Sequence, residues 1–169
     1  MSQSSSSVRI RKYNKRDSVA VGKLIAKTYR KFNMKELPHK EQDKLLGPFR
    51  HAESEDPAHQ KTIAQILRSP MLYVATIDDV IVGVLRGRKN VLASLFVTES
   101  AHRMGIGREL VARFERDSRK LGVEWIRVAS TEYAVPFYQV MGYKKTTGLR
   151  NLKSFDGTGL KYQPMKKWL

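Results

Sequence analysis

Residues 95–110, LFVTESAHRMGIGREL, place Gly105 and Gly107 between an apolar, strand-like run and the start of an amphipathic helix, with Arg103 and Arg108 on either side. The first N–H groups of a helix have no internal acceptors and lie at the positive end of its dipole, so such a corner is a natural anion site. Glycine has no Cβ and lets an anion close on the main chain. The two guanidinium groups are placed to reach outlying phosphate oxygens. The same residues also fit a tight strand-to-helix turn whose glycines serve packing alone. Two nucleotide signatures are missing: there is no G-x-x-x-x-G-K-[ST], and GIGREL lacks the third glycine of a dinucleotide fingerprint and follows several strands. With no cysteine, and with His39, His51, His59 and His102 at no ligand spacing, no metal site is expected.

The elements that must hold this corner can be read in order. VRIRKY alternates like an edge strand, and Asp17 can cap a helix with Val21, Leu24, Ile25 and Phe32 on its inner face. KELPHKEQDKLLGPFRHAESEDP is polar and broken by Pro38, Gly47, Pro48 and Pro57, which predicts a loop or a short helix lying over the surface. Asp56 and Pro57 start a second helix through Ile63, Ile66 and Leu67. MLYVATI and VIVGVLRG, separated by Asp78-Asp79, form a hairpin, and VLASLFV a third strand. After the glycines, Ile106, Leu110, Val111, Phe114 and Leu121 mark one helix face, with Gly122 as its left-handed stop. VEWIRVAS is a strand, YAVPFYQVM a short helix, and YKKTTGL and LKYQPMKKWL are strands. Hairpins followed by a strand-helix-strand crossover imply an α/β (α+β) fold: a mixed, mostly antiparallel sheet of about seven strands with helices on both faces.

The length of 169 residues suits one domain, here 8–169, after a flexible serine-rich tail over 1–7. The N-terminus has no apolar core of a secretory signal and no window is long enough for a membrane helix, so the expected compartment is the cytoplasm, with no membrane partner. The net charge of +16 creates a field that attracts phosphates, nucleic acid or acidic surfaces, or it marks a solvated face.

At this point the chain resembles the GNAT superfamily of N-acyltransferases, over nearly its whole length. The family's strand ending L-x-V, followed by [QR]-x-x-G-x-[GA], is matched by Leu95, Val97, His102, Arg103, Met104, Gly105, Ile106 and Gly107. His102 stands where glutamine or arginine is usual. The downstream pattern N-x-x-A-x-x-[FL]-Y-x-x-x-G-[FY] reads TEYAVPFYQVMGY here, matching at Ala134, Phe137, Tyr138, Gly142 and Tyr143, with Thr131 in place of asparagine. The resemblance implies acetyl-CoA as cosubstrate. Main-chain groups of Leu95, Phe96 and Val97 would bind the pantetheine arm and Arg103 to Arg108 the pyrophosphate, while Thr131, Ala134 and Phe137 would lie against the cofactor.

The implied reaction passes an acetyl group to a primary amine by direct attack in a ternary complex. It needs a neutral amine, a donor for the oxyanion and a proton for the departing thiolate. The matching tyrosine makes Tyr138 the expected proton donor, with a packing role beside the cofactor as the alternative, and main-chain N–H near Val97 is the expected oxyanion donor. Where some members carry a glutamate in the strand before the corner, this chain has Val91. Glu99 and Glu132 are the available carboxylates, Glu132 the candidate base, and water is the alternative. The variable segment Tyr29 to Pro57 should choose the acceptor. The acceptor is expected to be a small amine or a peptide or protein amine: Glu53, Glu55 and Asp56 there suit a cationic amine, whereas the overall charge favours an anionic acceptor such as an acidic peptide or a protein bound to nucleic acid. Two rivals remain, a GNAT fold that binds coenzyme A without catalysis and a basic nucleic-acid-binding module. The latter would need aromatic and basic residues interleaved on a face, and the sequence shows no such run. The C-terminal LKYQPMKKWL is expected to be an exposed edge, which would allow a homodimer.

Overall fold

The computed structural model describes residues 7–169; positions 1–6 of the expected tail lie outside the described residues. Strand β1 (Val8–Lys12) leads into helix α1 (Ser18–Asn33), then α2 (His39–Leu46), α3 (Pro57–Ile66), and strands β2 (Met71–Ile77), β3 (Val80–Arg88) and β4 (Val91–Val97). Helix α4 (Ile106–Lys120), β5 (Trp125–Thr131), α5 (Val135–Val140), β6 (Lys144–Lys145), β7 (Arg150–Ser154) and β8 (Gly157–Trp168) complete the chain. The sheet order is β1-β2-β3-β4-β5-β8-β6, with β7 also on β8. Among the described residues only β4 and β5 pair in parallel, as a crossover through α4 requires. The expected mixed sheet is therefore present, with eight strands among the described residues where about seven were expected.

Two apolar layers hold it. Ile106, Leu110, Val111 and Phe114 of α4 pack on Tyr73, Ala75, Leu85, Leu92, Ile126 and Met165. On the other face Val21, Leu24 and Ile25 of α1, Leu45 and Leu46 of α2 and Ile63 of α3 cover Leu72, Val74 and Val84. The Asp78-Asp79 corner has both residues at positive φ, as a two-residue hairpin requires. Asp56 accepts from Ala58 N–H and caps α3, and Gly122 stops α4 with φ of 76°.

Several expectations need correction. The segment read as a loop or a short helix lying over the surface does form the short helix α2, but it buries Leu45, Leu46, Phe49 and Ala52 within the second apolar layer, because its few apolar residues recur at helical spacing within a polar background. Asp17 precedes α1 but does not cap it; its carboxylate instead accepts from Arg11 and from Asn14 N–H. Leu121 is exposed, since α4 ends one residue before it. The strand read over YKKTTGL shrinks to Lys144–Lys145, and β7 forms a hairpin with β8 that the reading lacked. Strand β8 is not an edge: β5 pairs along one side of it and β6 and β7 along the other. The argument for a homodimer through that edge falls with it. On β5 and β8, Lys166 Nζ lies 4.2 Å from the Trp125 ring and 4.3 Å from the Trp168 ring. Strand pairing thus interleaves basic and aromatic groups that are far apart in the sequence.

Candidate active site

The parallel pairing of β4 with β5 is confined to Val91–Arg127 and Leu92–Val128. Its limit is set by a bulge: Leu92 faces Gly87 and Ser94 faces Arg86 on β3, leaving Ala93 without a partner. A bulge bends its strand, and beyond it β4 parts from β5. The β5-facing edge of Ala93–Val97 then carries no strand, which leaves main-chain donors and acceptors for an extended ligand. A cavity of about 920 Å³ fills the gap and reaches both faces of the sheet. Leu95 and Val97 pack with the α4 layer and Phe96 with the α1–α3 layer.

At one end of the cavity stands the N-terminus of α4. Gly105 precedes it at φ 78° with open space where a side chain would be. The first helical bond runs from Glu109 N–H to the Gly105 carbonyl, and no side chain caps the turn. The N–H groups of Ile106, Gly107 and Arg108 thus lack intrahelical acceptors beside the cavity. The two glycines differ in purpose. Gly105 supplies a left-handed corner that other residues adopt at a cost, whereas a Cβ at Gly107 would press on the Phe137 ring, 3.2 Å away. Arg103 turns the same corner at φ 63°, at a cost of roughly 1–2 kcal/mol for a non-glycine residue.

His102, the departure from the family pattern, turns back on the strand. Its Nε2 lies 2.9 Å from the Val97 carbonyl; a carbonyl only accepts, so Nε2 carries the hydrogen. The ring also packs on Phe32 of α1, centroids 4.8 Å apart, and Phe32 packs on Tyr133 at 5.4 Å. Next to it Asn33 Nδ2 donates to Thr131 Oγ1 at 2.8 Å. The end of α1 therefore bridges the corner after β4 and the end of β5, and it brings an amide to the position where Thr131 replaces asparagine.

Tyr138 lines the cavity from α5 and is buried. Burial alone pushes its phenol well above the ordinary tyrosine range, because the charged form loses its water. Its ring meets Phe137 and Tyr143 edge-on. Tyr143 is pushed up by burial and then by Glu115, to which its hydroxyl donates at 3.1 Å. Glu115 also pairs with Lys167 Nζ at 2.9 Å. Tyr138 is thus held against a buried, charged and hydrogen-bonded cluster.

Of the residues singled out in the sequence, the cavity brings together Leu95, Phe96, Val97, His102, Arg103, Gly105, Ile106, Gly107, Arg108, Thr131, Ala134, Phe137 and Tyr138. Met104 is exposed and does not line it, and Glu132 is exposed and lies outside it. Glu99 pairs with Lys31 at the surface, and that contact holds its carboxyl below the usual range. No carboxylate lines the cavity among the described residues.

The profile of the Acetyltransferase (GNAT) domain family matches residues 38–169. The chain belongs to the GNAT acetyltransferase family. Solved structures agree in fold. A GCN5-related N-acetyltransferase from Rhodopseudomonas palustris superposes with a TM-score of 0.76 at 17% identity, over 100% of this chain and 99% of that one. The PaiA N-acetyltransferase of Thermoplasma acidophilum, solved with coenzyme A, gives 0.69 at 17% identity over 96% and 99%. YncA of Salmonella typhimurium, solved with acetyl-CoA, gives 0.64 at 16% over 97% and 95%. Among the described residues no helix is long and apolar enough to cross a membrane.

This GNAT cavity also contains residues that the sequence reading passed over. Asn33, Arg86 and Ser94 line it, as do Leu152, Lys153, Ser154 and Phe155 of the β7–β8 hairpin. Arg86 carried a signal: it sits two residues after Val84 in an apolar strand and shares its face. The hairpin carried one in Asp156-Gly157, a turn dipeptide between alternating residues.

Proposed function

We propose that this GNAT protein is an acetyl-CoA-dependent N-acetyltransferase acting on a primary amine. The reading rests on one arrangement: the unpaired edge of β4, the uncapped start of α4 and the buried Tyr138 hydroxyl-bearing ring share one cavity. The edge at Leu95 and Val97 suits an extended amide-bearing arm, with the Val97 carbonyl engaged by His102 and the Phe96 main chain turned to Val84 on β3. The open N–H groups at Ile106–Arg108, with Arg103 and Arg108 beside them, suit a pyrophosphate. Thr131, Ala134 and Phe137 border the same space.

In the transfer, the amine nitrogen bonds to the thioester carbonyl carbon and the carbon–sulfur bond breaks. Main-chain N–H near Val97 stabilises the oxyanion. Tyr138, kept protonated by burial, donates to the departing sulfur and regains its proton from water. With no carboxylate in the lining and Glu132 outside it, water removes the amine's proton. The absence of a lining carboxylate among the described residues also supports a second reading, a protein that binds coenzyme A without turnover. Release of free coenzyme A across a panel of amines and peptides, measured beside the thermal shift given by acetyl-CoA, tests both. Thermal shift with thiol release supports the transferase; shift without release from any amine supports binding alone.

A further inference from the structure

Arg86 on β3 and Ser94 on β4 face each other across the strand pair, on the α1–α3 side of the sheet and in the cavity wall. Arg86 is half-buried, and among the described residues its side chain makes one hydrogen bond, from Nη1 to the Ile66 carbonyl at 3.3 Å. Its Nε and the Ser94 Oγ are both buried without a partner among the described residues. Other arginines of this protein meet carboxylates, as Arg11 meets Asp17, Arg30 meets Asp43 and Arg113 meets Asp117. Arg86 faces no acid, and burial lowers its pKa with nothing to offset it. The cavity's other cations, Arg103, Arg108 and Lys153, are exposed and solvated.

A half-buried cation with no counter-charge, beside a hydroxyl with no partner, is costly unless a ligand completes it. We propose that Arg86 and Ser94 form a carboxylate-binding subsite for the acceptor, which is a small amino acid with an apolar side chain. The proposal rests on the transferase reading for the word acceptor, and on Arg86 and Ser94 alone for the subsite. The planar fork of one guanidinium matches the two oxygens of a carboxylate, and the serine hydroxyl adds a single donor. A phosphate dianion would call for a second buried cation, and the wall has none. Ile25, Leu45, Leu46, Phe49 and Phe96 on the same side supply the apolar surroundings. A small molecule fits better than a chain because this end is closed in by α2 and by the β7–β8 hairpin, where Ser154 Oγ donates to the Leu45 carbonyl at 3.1 Å.

The test is calorimetric titration, with and without saturating coenzyme A, of L-phenylalanine and L-leucine against their carboxamides and their decarboxylated amines. The acids should bind about 10- to 100-fold more tightly than the analogues that lack the carboxylate, the range expected of charge-assisted hydrogen bonds. Arg86→Gln should erase that ratio, Arg86→Lys should restore part of it, and Ser94→Ala should reduce it less. An arginine that only tethers the Ile66 carbonyl would not distinguish acid from amide. Should Arg86→Gln fail to fold, Ser94→Ala and the wild-type ratio carry the test. Equal binding of acids and amides, no saturable binding of either acid, or a ratio that survives Arg86→Gln would overturn the proposal. Titration with acetyl-CoA is scored separately: its failure with acid binding intact removes the transferase reading and leaves the subsite standing.

Discussion

Tyr138 and His102 show how burial and hydrogen bonding assign different tasks to polar residues in one cavity. Tyr138→Phe should lower kcat by about 100-fold or more, the usual scale for a lost proton donor, and leave acetyl-CoA affinity nearly unchanged. Unaltered turnover would reduce Tyr138 to a packing residue. Because burial raises its pKa, Tyr138 stays protonated beyond the range of an ordinary tyrosine. The rate should therefore show no alkaline limb from this group below about pH 10, and a limb that Tyr138→Phe removes would contradict the assignment. At this scale the sequence was partly legible. Gly105 stands out by type and spacing, and Tyr138 through the family resemblance. The use of Gly107 for the Phe137 ring, the turn of His102 to Val97 and the approach of Asn33 to Thr131 were not legible, since each depends on residues brought together by folding.

Among the elements, helix ends and strand periods carried most of the readable information. The Asp56-Pro57 start of α3 was legible because a cap is local chemistry. Asp56→Ala should cost about 1 kcal/mol of stability, read as a lower thermal midpoint. For α2 the short helix was one of the two readings, but its burial was not legible, because helical spacing within a strongly polar stretch looks solvated until α1 and the sheet are there to receive it. The cluster on α4 is nonlocal in the same way. Glu115→Ala should leave Lys167 and Tyr143 unpaired in a buried site and cost roughly 3–5 kcal/mol, measured by denaturant unfolding. A change below 1 kcal/mol would show that water replaces the carboxylate there.

For the whole molecule, pH and salt report on different groups. Asp17 is held below the usual carboxylate range first by its hydrogen bond from Arg11, with Asn14 N–H adding to this. Its contribution to stability is present above the unfolded value of about 3.9 and is lost as pH falls through the folded value. Asp17→Asn should flatten the acid limb of the unfolding curve. At the other end, burial pushes Tyr29 up to about 12, and burial with help from Asp117 does the same for Tyr73. The unfolded chain ionises these phenols near pH 10, so their contribution is full below that pH and is lost as pH rises above it. The net charge of +16 predicts that kcat/KM for the anionic acetyl-CoA falls steeply with salt, whereas that for a zwitterionic acceptor responds little; a flat response for acetyl-CoA would show that the charge serves solubility alone. The overall order of strands was legible up to β5. The long return of β8 between β5 and the β6–β7 side was not, because pairing partners after a crossover are chosen by the whole sheet.

The hairpin and α2 meet at Gly47, where any side chain would run into the Phe155 ring. Two stretches of chain more than a hundred positions apart are thereby keyed to each other at the closed end of the cavity, on the side proposed for the acceptor. Changing what this protein accepts is accordingly a two-part exchange: transplanting 37–49 from a relative without its own 150–157 would bring a lock without its key. Variants sampled in both stretches together should retain the fold far more often than variants sampled in either one.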